Sequence, residues 1–207
     1  MKTKRLSLLL AFIMILSEFS GTFVVNAETP ATDPTLTAKD NEEIAKGNEW
    51  KIGDTYYADW KSATAVAAES TEPITLYLLT DTEENLADNN SSGLYFAPKA
   101  AVTITGVTQD DETKPVMKAT GYRWFTVTTG QAVTVQNIEV LCGTAGAFQV
   151  NTAPAALILK DMDIISNAVP NGVIILNAAN TNLTVTDSNI TIKNHASTNT
   201  RSGRAHV

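Results

Sequence analysis

The sequence has very little with which to cross-link itself or to carry positive charge. A single cysteine, Cys142, stands in 207 residues, which excludes an intrachain disulfide and any paired-cysteine metal or redox motif. Beside Leu141 it reads as a small buried hydrophobe. Two histidines, His195 and His206, lie in a polar C-terminal stretch with no cysteine or second carboxylate at ligand spacing, so neither reads as a metal ligand. Lys and Arg number 15 against 22 Asp and Glu, a net charge of −7. A surface of that sign repels phosphate backbones and anionic bilayers, which argues against nucleic acid and lipid partners. The sequence also has no G-x-S-x-G elbow and no phosphate-binding loop.

Long apolar runs are missing too. The longest, Leu6 to Leu16, is too short to span a bilayer comfortably, and it follows the basic segment Met1-Lys2-Thr3-Lys4-Arg5. Small or modest residues then appear at Val25-Asn26-Ala27. This is the order of a secretory signal peptide, residues 1–27, with cleavage expected after Ala27. An uncleaved anchor is disfavoured by the short run and by the absence of a second spanning segment. A lipoprotein would need a cysteine at the cleavage site, and Cys142 is far downstream. The expected product is secreted or cell-wall associated, with 12 basic residues against 21 acidic ones and a net charge of −9.

Residues 28–49 mix proline, threonine and charge without apolar periodicity, and read as a flexible leader. In residues 50–72, Tyr56, Trp60, Ala63 and Ala67 fall on one face at helical spacing, with Asp54 as the expected N-cap and Pro73 as the stop. From residue 73 to 207 the pattern becomes short alternating segments. Val133-Thr134-Val135, Leu157-Ile158-Leu159 and Leu183-Thr184-Val185 recur at offsets of 24 and 26 residues. Val140, Ile164 and Ile190 repeat the same steps, and Phe148-Gln149-Val150 is matched by Ile174-Ile175-Leu176. Upstream, Ile74-Thr75-Leu76, Leu94-Tyr95-Phe96, Val102-Thr103-Ile104 and Phe125-Thr126-Val127 extend the series if Gln109 to Thr120 is an inserted loop.

Three short strands per period of about two dozen residues suit a coil that returns above its own start, each strand pairing in parallel with its successor. The expected fold is all-β: a parallel solenoid with inward columns such as Val133, Leu157 and Leu183. Handedness of parallel crossovers favours a right-handed winding by analogy.

The stretch from Tyr57-Ala58-Asp59-Trp60 through Ile74-Thr75-Leu76 to the repeats Ala132–Val140 and Asn182–Ile192 resembles the pectate-lyase-like right-handed parallel β-helix superfamily. The resemblance covers roughly residues 56–195 and implies an N-terminal capping helix in the 50–72 region. Its motifs specify fold more than activity. Within the group the chain looks closer to bacterial secreted and cell-surface adhesin-type proteins than to the pectinolytic enzymes.

Two sets of candidate site residues stand out. Asn137, Asp161 and Asp187 occupy equivalent positions after the first strand of three consecutive coils. Asp161 and Asp187, stacked on adjacent coils, supply carboxylates for Ca²⁺ if further oxygen ligands join them. The competing reading makes all three turn residues that satisfy local backbone groups, and it is favoured because Asn and Asp prefer such turns. Tyr122, Arg123 and Trp124 combine aromatic faces with a guanidinium, which suits sugar rings and carboxylated sugars. Against this, Trp124 is expected to pack under the Gln109 to Thr120 loop.

The functional expectation is a non-catalytic binding or adhesion module, with a polysaccharide or cell-surface protein as partner. The alternative is a fragment of a polysaccharide lyase or glycoside hydrolase acting on acidic polysaccharides. The lack of a paired acid and base constellation favours the first. A solenoid ending after Ile192 without a covering element leaves an open edge, so the chain is expected to be truncated at its C-terminus.

Overall fold

Alternation at this spacing does produce strands that pair with their own successors. The computed structural model describes residues 34–86, 94–121, 123–143, 146–167 and 172–193, all within the unit Asp33–Val207. The expected signal peptide and the C-terminal histidines lie outside the described residues. In order, helix α1 (Ala38–Ile44), strands β1 (Trp50–Ile52) and β2 (Thr55–Tyr57), and helix α2 (Trp60–Glu69) come first. A β-solenoid of about four turns follows.

Its coils are built from β3 (Ile74–Leu78), β4 (Thr82–Asn85) and β5 (Leu94–Phe96); β6 (Val102–Gly106), β7 (Val116–Thr120) and β8 (Phe125–Val127); β9 (Ala132–Cys142) and β10 (Phe148–Val150); and β11 (Ala156–Asn167) and β12 (Ile174–Leu176). Strands β13 (Asn182–Thr186) and β14 (Asn189–Lys193) continue from there. Pairing between coils is parallel. Val133 lies against Leu157 and Leu157 against Leu183, while Val140 meets Ile164 and Ile164 meets Ile190. Phe125, Phe148 and Ile174 form a further column. The expected offsets of 24 and 26 residues are therefore the strand registers.

Burial follows the alternation. Val133, Val135, Leu157 and Leu159 are fully enclosed, whereas Thr134, Gln136 and Ile158 between them are half-buried on the outward face. The columns lose cover at β13, where Val185 is 38% exposed. One residue turns the chain between the first two stretches of each later coil. Asn137, Asp161 and Asp187 all adopt left-handed backbone, with φ of 52°, 49° and 50°, a conformation that Asn and Asp tolerate better than most residues. In the second coil that single-residue bend is replaced by the longer connection from Gly106 to Val116. Gly106 is required at its start, because a Cβ there would overlap the Asn137 carbonyl oxygen.

Three expectations about local structure are corrected. Residues 38–44, inside the segment read as a flexible leader, form α1. A capping box starts it, in which the Thr37 hydroxyl accepts from the Asp40 N–H and the Asp40 carboxylate accepts from the Thr37 N–H. The N-cap of α2 is Asp59, whose carboxylate accepts from the Ser62 N–H at 2.7 Å, and not Asp54. Gly53, with φ of 55°, makes Gly53-Asp54 the turn of the β1–β2 hairpin, and this places Tyr56 on a strand. Finally, the expected loop Gln109 to Thr120 is half strand, since Val116–Thr120 is β7 and pairs with both β4 and β9.

The remaining face of α2 agrees with its periodicity: Trp60, Ala63 and Ala67 are buried. Trp60 joins Trp50, Trp124, Phe96, Phe125 and Phe148 in an aromatic cluster, with neighbouring ring centroids 5.0–6.3 Å apart. Strand β1 runs antiparallel to β3, pairing Trp50 with Leu78 and Lys51 with Tyr77, so the first parallel strand has its free edge occupied.

Candidate functional site

The capping box of α1 also begins a site. Asp40 is 3% exposed, and its carboxylate is surrounded by donors. Besides the Thr37 N–H and hydroxyl, it accepts from the Lys51 ammonium at 2.8 Å and from the Tyr56 phenol at 2.8 Å. Burial alone would raise its pKa. The Lys51 ammonium, Thr37 and the Tyr56 hydroxyl outweigh that and hold the carboxyl well below its usual range. Burial opposes the charge on Lys51 as well, but Asp40 raises its pKa above the ordinary lysine value. Lys39 and Lys51 place their ammonium groups 5.1 and 5.3 Å from the Tyr56 ring centroid.

This locked pair borders a cleft of about 370 Å³ between the segment at residues 34–40 and strands β1 and β3. Thr35, Thr37, Lys51, Asp54 and Tyr77 contribute polar groups, and Leu79 and Val107 an apolar floor. The segment is held there by the parallel bridge between Thr35 and Thr108 and by the Thr108 N–H donating to the Pro34 carbonyl at 2.9 Å. An aromatic ring, hydroxyls, one ammonium and an apolar patch in one concavity can hold a polyhydroxylated molecule. Asp40 itself is committed to four donors and has no freedom to carry protons between reacting groups at neutral pH.

The expected site residues are placed elsewhere. Tyr122 lies outside the described residues. Arg123 is buried, and Trp124 has no exposed surface. Trp124 sits against Trp50, Trp60, Phe125 and Phe148. The reading of its ring as a sugar platform is corrected on that ground, because no face of it reaches solvent.

Asp161 and Asp187 do occupy equivalent bends, next to each other in register. The carboxylate of Asp161 accepts from the Lys114 ammonium at 2.7 Å, as does that of Asp163 at 2.8 Å. Lys114 comes from the long connection of the second coil and spans the third coil to reach them. Lys114 and then the Asn189 amide hold the Asp163 carboxyl below its ordinary pKa. Among the described residues no group of three or more His, Cys, Asp or Glu has the arrangement of a metal centre. Asn137 ties its bend to the preceding coil, its side-chain amide donating to the Gly106 carbonyl at 3.0 Å and the Thr108 hydroxyl at 3.2 Å.

Sequence reasoning missed the cleft. Its signal was the Thr37-x-x-Asp40 spacing, the mark of a capped helix, but no local pattern ties Asp40 to Lys51 and Tyr77. No helix among the described residues is long and apolar enough to cross a membrane. No family model, curated protein or solved structure matches the chain.

Proposed function

We propose that this chain is a secreted or cell-surface protein that binds glycans or glycan-bearing cell-surface partners without chemical turnover. In this reading the solenoid is a right-handed parallel β-helix of the pectate-lyase-like kind, with the β1–β2 hairpin and α2 covering its N-terminal end. The observation that carries the reading is the cleft beside Tyr77 and Lys51, where an aromatic ring, hydroxyls and an ammonium converge over an apolar floor. Its one buried carboxylate is fixed by an ion pair. An acidic chain with few cations is poorly suited to polyanions such as nucleic acids.

Binding to a panel of soluble polysaccharides by affinity electrophoresis tests the proposal, with the same mixtures assayed for new reducing ends and unsaturated products. Retardation without products is expected. Product formation would put a lyase or hydrolase in place of the binding module, and no retardation by any polysaccharide would overturn glycan binding.

A further inference from the structure

Strand register carries a continuous row of side chains away from the cleft. Lys51 lies against Tyr77, Tyr77 against Thr105, Thr105 against Gln136, Gln136 against Lys160, and Lys160 against Thr186. Beside it runs a second row, Thr75, Thr103, Thr134, Ile158 and Thr184. At an inter-strand spacing of ~4.8 Å, the first row extends about 24 Å along the solenoid. Both rows alternate with the buried positions of their strands and face outward, except at Thr105, which is itself buried.

Charge distinguishes this face from the one that adjoins it. Neither row contains a carboxylate, although the chain carries 22 Asp and Glu. The Lys51 ammonium is already paired with Asp40, which leaves Lys160 as the cation of the rows without an ion pair among the described residues. The adjoining face, by contrast, carries Glu83, Lys118, Asp163 and Lys114 in ion pairs. What the rows offer is hydroxyls, one primary amide, an ammonium, the ring of Tyr77 and the side chain of Ile158.

We propose that this face, running from the cleft at Tyr77 to Lys160, binds a linear neutral glycan lying along the solenoid axis. The proposal rests on the glycan-binding reading above and adds the surface and the charge class. An uncharged polyhydroxylated chain exchanges water for the Thr and Gln groups without stripping a charge of its solvent. Its apolar ring faces pack on Tyr77 and Ile158. A polyanion would meet one unpaired ammonium while being repelled by the net charge of the chain. The cleft where the face begins adds contacts for one end of the ligand, since Thr35, Thr37 and Tyr77 all border it.

The test is a titration of the purified chain with three hexasaccharides, cellohexaose and chitohexaose as neutral probes and hexagalacturonate as the anionic one, followed by amide chemical-shift mapping and calorimetry. Binding of a neutral probe is expected, with shifts along Tyr77, Gln136, Ile158 and Thr184. Gln136→Ala should weaken it several-fold and Tyr77→Ala roughly tenfold, with melting temperatures recorded for both variants. If Tyr77→Ala does not fold, Gln136→Ala and the wild-type shift map decide. Stronger binding of hexagalacturonate, or shifts confined to another surface, would overturn this inference while leaving glycan binding standing. Failure of all three probes would overturn both.

Discussion

The Trp60 backbone N–H donates to the Glu84 carboxylate at 2.7 Å, tying the first turn of α2 to strand β4 of the first coil. Burial raises the Glu84 pKa above its ordinary value. The Trp60 N–H opposes that, and the nearby Asp59 and Glu49 carboxylates add to it. A carboxyl whose folded pKa is raised favours the folded state when protonated. Its contribution is complete below the ordinary value of 4.5 and lost as the pH rises through the raised one. Glu84→Gln keeps an oxygen acceptor for Trp60 and removes the charge. The variant should melt higher than wild type at pH 7, with the difference closing towards pH 4, in thermal melts followed by circular dichroism.

Asp40 has the opposite sign. Its folded pKa is depressed, so its contribution is present above the ordinary 3.8 and is lost as the pH falls through the depressed value. Asp40→Asn leaves the Lys51 ammonium without its charged acceptor and weakens the capping box. Urea unfolding at pH 7 should record a loss of about 2–3 kcal/mol, narrowing below pH 4. A gap independent of pH would contradict the ion pair.

Alternation along β11 predicts unequal neighbours. Leu159 is fully enclosed, and Leu159→Asp should bury a carboxylate at a cost of several kcal/mol. Ile158→Thr, on the outward face, should stay within about 1 kcal/mol. Equal losses on chemical denaturation would contradict the register.

The bends separate a turn role from a metal role. Asp187 is exposed and left-handed, so Asp187→Ala should cost about 1 kcal/mol and Asp187→Gly less. Because the Asp161 carboxylate already meets Lys114, millimolar Ca²⁺ should leave the melting temperature unchanged. A rise abolished in Asp187→Ala would restore the calcium reading.

What could be read from the sequence follows from the range of the interactions concerned. Val133, Leu157 and Leu183 revealed their stacking because identical alternation recurs at fixed offsets, and the inward columns need only that pattern. Asn137, Asp161 and Asp187 were legible as equivalent bends for the same reason. The insertion of the second coil blurred the period, and so β7 was hidden inside an expected loop. α1 is too short to display an apolar stripe, and a capping box alone marked it. Trp124 illustrates a different limit: an aromatic beside an arginine looks the same in sequence whether it faces solvent or four other rings. The cleft depends on residues 35–40, 51 and 77 meeting through tertiary packing, which no local pattern encodes.

The account stands on one residue per coil rising in register along the outward face. Spin labels at Thr75 and Thr184, four register steps apart through Thr103, Thr134 and Ile158, test this most directly by pulsed dipolar spectroscopy. The solenoid predicts a single narrow distribution centred near 19 Å between backbone positions, broadened only by the label linkers. A broad distribution, or one centred far beyond that separation, would contradict the stacked coils and the binding face built on them.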